Sequence, residues 1–338
     1  MASNSNSTIH VACCFDRNYE LPFIVLANSI RRASSRHVVL HALHEGPLDL
    51  APRELRDAPG LTVNFIDVTD RYGRFNTHGP QTTVTYARLS LPDILEGVER
   101  VLYLDTDMLV MRDIAPLYFS DLGECALGAV IDYGLLIRLL RDEPLPVEGA
   151  TTLICDYLRD TIRLSNPHRY FNAGALLIDL EKFRSLGIAQ RAREALSNEL
   201  SRAIFNDQDA LNFAVAGAFV ELDPRWNAIQ DILFKEVHQR LPAEIEAVVD
   251  LYKEPWIMHY AGVKPWRSNI LPGPWERQFW QAAQEANVEW PLLWAFWRAI
   301  PYLRPYQIDS YLWEARNRGP QIGTATVLMW AMKHFMRR

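Results

Sequence analysis

Through its first two thirds the chain alternates short apolar runs with segments of helical periodicity, and this alternation constrains its fold more than any other feature. "TIHVACCFD", "HVVLHALHE", "LTVNFIDVT", "VLYLDTDMLV" and "CALGAVID" read as strands. Each is of strand length, and most are rich in β-branched or aromatic residues. "ELPFIVLANSIRRAS" carries Leu21, Ile24, Val25, Asn28 and Ile30 at helical spacing. "TTVTYARLSLPDIL" reads as a helix stopping near Pro92, and "DIAPLYFSDL" as a helix start containing a proline. The alternation predicts an α/β fold: a mainly parallel, doubly wound sheet flanked by helices, with ligands gathered at the carboxyl ends of its strands. Asp105 and Asp107 fall at such an end. No internal repeat or low-complexity tract interrupts the pattern.

The chain of 338 residues is long enough for one large domain with a C-terminal extension. A formal net charge of -6 argues against nucleic-acid binding, which needs basic surface to displace counterions. The four cysteines, Cys13, Cys14, Cys125 and Cys155, show no CxxC spacing. The adjacent pair sits in an apolar run and reads as small buried thiols in a reducing, cytoplasmic compartment. The polar opening "MASNSNSTIH" lacks the basic and apolar regions of a signal peptide. No uncharged apolar run reaches the roughly 18 residues of a membrane span.

Composition shifts near residue 225. All ten tryptophans lie from Trp226 onward, seven of them between Trp266 and Trp313. The last segment, Ala315 to Arg338, contains Arg316, Arg318, Lys333, Arg337 and Arg338 and no acid. Its "VLMWAMKHFMRR" suits a short interfacial helix, with Trp and Met in the acyl boundary and basic residues on anionic headgroups. The expected division is a catalytic domain over 8–270 and a helical, Trp-rich, membrane-associating region over 271–338. The aromatic residues from Trp256 to Trp297 read mainly as its helical core.

Alternate residues of a strand point the same way, so Asp105 and Asp107 can project together. Two such carboxylates repel one another unless a cation intervenes. An oxygen-preferring divalent ion, Mn²⁺ or Mg²⁺, resolves the conflict and can then offset charge on a departing phosphate. A D-x-D triplet alone is weak evidence, and its companions decide its meaning. "DRNY", Asp16 to Tyr19, follows the first strand, and "YFNAGALLIDLEKF" sets Asn172, Ala173 and Gly174 before another. "FNDQDALNFAVAG" opens a helix with Asp207, Gln208 and Asp209, while "IMHYAGVKPW" puts His259, Gly262 and Lys264 after a strand.

With "TYARLSLPDIL" and "VLYLDTDMLV", these segments resemble the family 8 glycosyltransferases in content and order, from about Ile9 to Trp266. That family includes bacterial lipopolysaccharide galactosyl- and glucosyltransferases and glycogenin. The resemblance implies a GT-A fold (Rossmann-like, a mainly parallel mixed sheet flanked by helices), a UDP-sugar donor, Mn²⁺ dependence and retention of anomeric configuration. It implies that Asp105, Asp107 and His259 hold the metal. Asp16, Asn18 and Tyr19 match the segment that holds uracil and ribose, and Gly262 and Lys264 match the loop that grips the diphosphate. Arg88, Asn172, Ala173, Asp207 and Gln208 match positions around the donor sugar. Two departures stand out: Arg17 replaces a second acid often seen in the uridine segment, and only "YAGV" separates His259 from Lys264, one residue fewer than the family spacing.

Gln208, an amide, is a poor nucleophile. Front-face substitution is therefore expected, with Gln208 and Asp207 stabilising positive charge on the sugar. Asp207 as a transient nucleophile is the lesser option, and Asp209 is expected to cap its helix. The expected acceptor is a lipopolysaccharide or other lipid-linked glycan, met at the cytoplasmic membrane face. "RFNTHGPQTT", with His78, and Arg141 to His168 are long connections, expected to form a donor lid and an acceptor cleft. Two competing readings are a haloacid dehalogenase-type phosphatase, against which Leu109 counts, and a non-catalytic, membrane-bound UDP-sugar binder.

Overall fold

The computed structural model describes residues 8–56, 58–71, 83–147, 150–200, 203–233, 241–262, 264–266 and 274–288. The chain forms two compact units, Met1–His259 and Tyr260–Arg338.

The first unit is built on a sheet of seven strands: β1 (Ile9–Asp16), β2 (Val38–Glu45), β3 (Leu61–Asp67), β4 (Arg100–Leu104), β6 (Leu127–Ile131), β9 (Phe171–Asp179) and β10 (Val220–Glu221). Their order is β10-β6-β9-β4-β1-β2-β3. Strands β1, β2, β3 and β4 pair in parallel, as do β10 and β6. Strand β9 runs antiparallel between β4 and β6. The sheet is thus mixed and mainly parallel. Its central strands are buried nearly throughout, as both-face burial in an α/β sheet requires, and hence they are legible as continuous apolar runs. Cys13 and Cys14 are free and buried in β1, and burial pushes the Cys14 thiol up to about 12.

The helix Glu20–Ala33 follows β1 and buries Phe23, Ile24, Val25, Leu26, Ala27 and Ile30. The segment before β4 departs from the expected helix. Thr83–Ser90 is 3-10, and Pro92 begins a separate short helix, Leu91–Ile94, rather than stopping the first. β-Branched Thr83, Val84 and Thr85 are weak α formers, and proline suits a first turn whose N–H needs no partner.

A second sheet, β11-β12-β5, contains β5 (Met108–Val110), β11 (Ala228–Ile229) and β12 (Ile257–His259). Strand β4 ends at Leu104 and β5 begins at Met108, so Asp105-Thr106-Asp107 is a turn between two sheets, not alternate positions of one strand. Strand β12 runs antiparallel to β5 and sets His259 opposite Met108. Asn172, Ala173 and Gly174 lie within β9, not before it, beside a register shift that pairs Val130 with Asn172 but Ala129 with Leu176. This bulge leaves Ala173 outside the β6 ladder, its backbone available to side chains.

The described residues between Arg141 and His168 are largely structured. They hold a hairpin of β7 (Pro144–Val147) and β8 (Ala150–Leu153), a π-helix at Tyr157–Thr161 and the start of a 3-10 turn, Pro167–Arg169. In the second unit, Tyr260, Trp266, Phe279 and Trp280 are buried. Tyr260 packs edge-on to Phe279, which also meets Trp266 and Trp280. These rings build core, as expected for most of that aromatic stretch. The "RFNTHGPQTT" loop with His78, the tryptophans from Trp290 on and the basic segment Ala315 to Arg338 lie outside the described residues.

Candidate active site

Arg88, buried on the 3-10 helix, ties three segments together. Its Nη2 donates to Asp105 Oδ1 at 2.8 Å and its Nη1 to the Ala173 carbonyl at 2.7 Å. Its guanidinium lies over the Tyr103 ring, 4.4 Å from the centroid. The Nε–H donates to the Thr85 carbonyl, while Nε itself lies 2.8 Å from Asp207 Oδ2. Charge therefore links Arg88 and Asp207, but no donor is aimed at Oδ2. Among the described residues this buried oxygen has no hydrogen-bond partner, whereas Oδ1 accepts the Thr85 hydroxyl at 2.9 Å. Burial lowers the Arg88 pKa, but the carboxylates of Asp105 and Asp207 more than offset it and leave it raised. Burial raises the Asp207 pKa, and Arg88 offsets that only in part. The two directions agree on a guanidinium shared between two carboxylates, one of them poorly solvated.

Asp105, Asp107 and His259 converge, with one ligand atom from each lying within 4.8 Å of the others. The Asp105 N–H donates to Gly174 O, and the Tyr103 hydroxyl donates to Asp105 Oδ1, so the turn is held from both sides. His259 Nε2 lies 3.4 Å from Asp107 Oδ1, and Nδ1 lies 2.8 Å from Asn227 Oδ1. Asn227 Oδ1 can only accept, so Nδ1 carries the proton of the neutral ring and Nε2 presents a lone pair. A lone pair and a carboxylate oxygen this close repel one another, and a cation held by both would relieve that repulsion. Two carboxylates with one imidazole form a hard-to-borderline donor set of the kind that suits Mn²⁺. The residues fit a divalent ion.

On the opposite side of Ala173 stands Gln208, in the first turn of the helix Asn206–Val215. Gln208 Oε1 accepts the Ala173 N–H and Nε2 donates to Asp132 Oδ2, both at 3.0 Å. Asp209 does more than cap. Its carboxylate accepts the hydroxyls of Tyr157 (2.6 Å) and Tyr170 (2.7 Å) as well as the Phe205 N–H. This clasp fastens the π-helix to the Asn206–Val215 helix. Burial pushes the Asp209 carboxyl up to about 6.

Asp16 ends β1 and Asn18 and Tyr19 follow it, beside β4 on the same edge of the sheet. Asp16 Oδ1 accepts the Asn18 N–H at 2.7 Å and shapes that turn. Gly262 and Lys264 belong to the second unit, where Gly262 has φ 88° and Lys264 Nζ donates to the Tyr260 carbonyl. In the first unit the structure thus joins Arg88, Asp105, Asn172, Ala173, Asp207 and Gln208 through direct contacts or one intermediary, and sets Asp107 against His259. Residues not expected from sequence are Thr85, Tyr103, Asp132 and Asn227. Asp132 had a legible signal, an acid at the carboxyl end of an apolar run. Asn227 had none.

The sheet order and the acidic turn at its carboxyl edge define a GT-A glycosyltransferase. The apo WbbM bifunctional glycosyltransferase superposes with a TM-score of 0.72 at 20% identity, over 87% of this chain and 52% of that one. Galactosyltransferase LgtC in complex with donor and acceptor sugar analogues gives 0.62 at 28% identity, over 82% and 96%. The family model for glycosyl transferase family 8 matches residues 10–270, and the chain belongs to that family. Membership sets aside the dehalogenase-type phosphatase reading. General stress protein A of Bacillus subtilis is 26% identical over 77% of this chain and 88% of its own length. Lipopolysaccharide 1,2-glucosyltransferase of Escherichia coli K12 is 26% identical over 50% and 44%. Probable galacturonosyltransferase-like 7 of Arabidopsis thaliana is 28% identical over 65% and 62%.

Proposed function

We propose that this glycosyltransferase moves a hexose, galactose or glucose, from a UDP-sugar to a glycan acceptor with retention of configuration. The carrying observation is the convergence of Asp105, Asp107 and His259 beside the Arg88–Asp207 pair. Mn²⁺ is the proposed metal, with Mg²⁺ the alternative. Asp105, Asp107 and His259 would hold it, and bound there it would offset charge on the departing diphosphate.

The remaining roles belong to the chain's own groups. Asp207 Oδ2, buried without a donor, is suited to accept a sugar hydroxyl. Arg88 opposes the effect of burial on the Asp207 carboxyl and offers positive charge between it and Asp105. Gln208 stands over the bulge of β9 as a neutral dipole able to stabilise positive charge at the anomeric centre. Gln208 is an amide and a poor nucleophile, so front-face substitution is the proposed course, with the leaving diphosphate oxygen assisting deprotonation of the acceptor and Asp207 as a transient nucleophile the lesser option. Asp16, Asn18 and Tyr19 are assigned to the nucleoside, Asn172 and Ala173 to the sugar, and Gly262 and Lys264 to the diphosphate.

The proposed acceptor is a lipopolysaccharide-type or other lipid-linked glycan, a reading that the likeness to the Escherichia coli lipopolysaccharide 1,2-glucosyltransferase supports. Membrane contact is assigned to the basic, aromatic region over 271–338, and the protein to the cytoplasmic face. Among the described residues no helix is long and apolar enough to cross a membrane.

The test is UDP release from UDP-galactose, UDP-glucose and UDP-galacturonic acid, with Mn²⁺ and after chelation, followed by an acceptor screen. Mn²⁺-dependent release from one hexose donor is expected, with Asp107→Asn losing activity about a hundredfold or more. Nucleotide-independent phosphatase activity, or undiminished turnover by Asp107→Asn, would overturn the reading.

A further inference from the structure

A single hydrogen-bonded chain of side chains connects Gln208 with His259. Asp132 Oδ2 accepts from Gln208 Nε2 and from Asn172 Nδ2, both at 3.0 Å. Asn172 Oδ1 accepts from the Gly174 N–H and, at 2.8 Å, from Asn227 Nδ2. Asn227 Oδ1 then meets His259 Nδ1 at 2.8 Å. Asn172, Asn227 and His259 are buried, so water cannot substitute for a mismatched partner there without cost.

The direction of this chain is set by the Asp132 carboxylate at one end, with the backbone N–H groups of Ala173 and Gly174 acting in the same sense. An amide can be turned over without changing its shape, and its orientation is fixed only by its neighbours. The Asp132 carboxylate has acceptors and no donor, so both amides must turn N–H toward it. Asn172 then presents oxygen to Asn227, Asn227 presents oxygen to His259, and His259 must carry its proton on Nδ1. In the other direction, Gln208 must give its oxygen to the Ala173 N–H. Asp132 is itself anchored, because its Oδ1 accepts the Leu135 N–H at 2.9 Å as the cap of the helix Tyr133–Leu140.

We propose that Asp132 is a positioning residue that sets the polarity of the Asn172–Asn227–His259 chain, presenting the His259 Nε2 lone pair toward Asp107 while holding the Gln208 amide in one orientation. The proposal rests on the metal reading for the use of that lone pair, but the polarity of the chain can be read without metal.

The experiment is ¹⁵N NMR of the metal-free full-length protein labelled at histidine, at pH 8, where an ordinary imidazole is neutral. The His259 signals are assigned by their loss in His259→Asn. Wild-type His259 is expected as the Nδ1–H tautomer. In Asp132→Asn a single acceptor oxygen is left for the Leu135 N–H and the two amides. The amide nitrogen competes for the Oδ2 place, and the Nε2–H tautomer is expected to appear beside the Nδ1–H form. Asp132→Ser keeps a helix cap through its hydroxyl and guards against a folding defect in the first variant. It is expected to show both tautomers. In both variants calorimetric Mn²⁺ affinity falls tenfold or more, the usual effect of losing a group that orients a ligand.

An unchanged tautomer and an unchanged Mn²⁺ affinity in both variants would overturn the proposal, as would an Nε2–H tautomer in the wild type. A wild type with the Nδ1–H tautomer, variants that shift it, and no Mn²⁺ uptake by any of them would support the chain's polarity and overturn the metal reading instead.

Discussion

Gly174 leaves open the space that the His259 ring fills: an ideal Cβ on Gly174 would lie 2.6 Å from His259 Cε1. The same Cβ would stand 2.9 Å from Met108 Cε and 3.0 Å from Asn172 Oδ1. One hydrogen atom at position 174 thus allows β9 to pass beneath the candidate metal site. Gly174→Ala is expected to move the imidazole, weaken Mn²⁺ binding about tenfold or more, and cost roughly 1–3 kcal/mol by overpacking. Titration calorimetry and a melting curve check both. Wild-type affinity in the alanine variant would show that the ring is not held where the structure has it.

Arg88 serves two carboxylates and two backbone carbonyls with a single guanidinium. Lysine is a point charge and cannot reproduce that fork. Arg88→Lys is expected to lower kcat/KM with the preferred donor by about a hundredfold or more. Arg88→Gln, which leaves Asp207 buried without its partner, should in addition destabilise the fold by roughly 3 kcal/mol. If Arg88→Lys turned over at the wild-type rate, the fork geometry would have no role in activity.

Asp209 gives a pH signature. Burial raises its folded pKa to about 6, above the ordinary carboxylate range, so between about 4 and 6 the native state holds a proton that the unfolded state has released. Its contribution is full below pH 4 and is lost as pH rises through 6. Asp209→Asn, which keeps a neutral group between Tyr157 and Tyr170, should flatten that part of the stability–pH curve. Identical slopes for the two proteins in urea titrations across this range would rule the assignment out.

His41 acts in the opposite sense. It is buried on β2, 3.0 Å from His10 Nδ1 on β1, and burial followed by the neighbouring His10 lowers its pKa to about 4. From about pH 6.5 down to 4 the unfolded chain takes up a proton that the folded chain refuses, so stability falls with falling pH. His41→Gln should reduce the loss of stability between pH 7 and 4.5, as followed by thermal melts. A variant that loses stability as steeply as the wild type would contradict this.

Ala216 ends the Asn206–Val215 helix in the left-handed region, with φ 51°. Glycine adopts that conformation without a Cβ penalty, so Ala216→Gly is expected to stabilise the protein by about 0.5–1 kcal/mol. Unchanged or lower stability in denaturant titrations would show that the alanine carries no strain there.

The strands of the first unit were legible because strands buried on both faces must be nearly all apolar, and "HVACCF" and "VLYL" are too short and too apolar for much else. The acids that follow such runs, Asp16 and Asp105, marked the functional edge for the same reason: polar side chains are tolerated where a strand ends. Local choices with small energy differences were not legible. The pattern around Tyr86 and Arg88 fits an α-helix as well as the observed 3-10 turn, and the Asp-Thr-Asp turn looks like strand until β5 is seen to pair with β12 rather than to continue β4.

By itself, then, the sequence determined the class of sheet, the order of its elements and the residue types that carry chemistry, since burial and periodicity act along the chain. Tertiary structure alone decided which of those residues meet. Asp107 reaches His259 only because β5 and β12 pair across the fold. Asn227 and Asp132 gain their roles only there, because a polar side chain carries no periodicity and its orientation is set by partners distant in sequence.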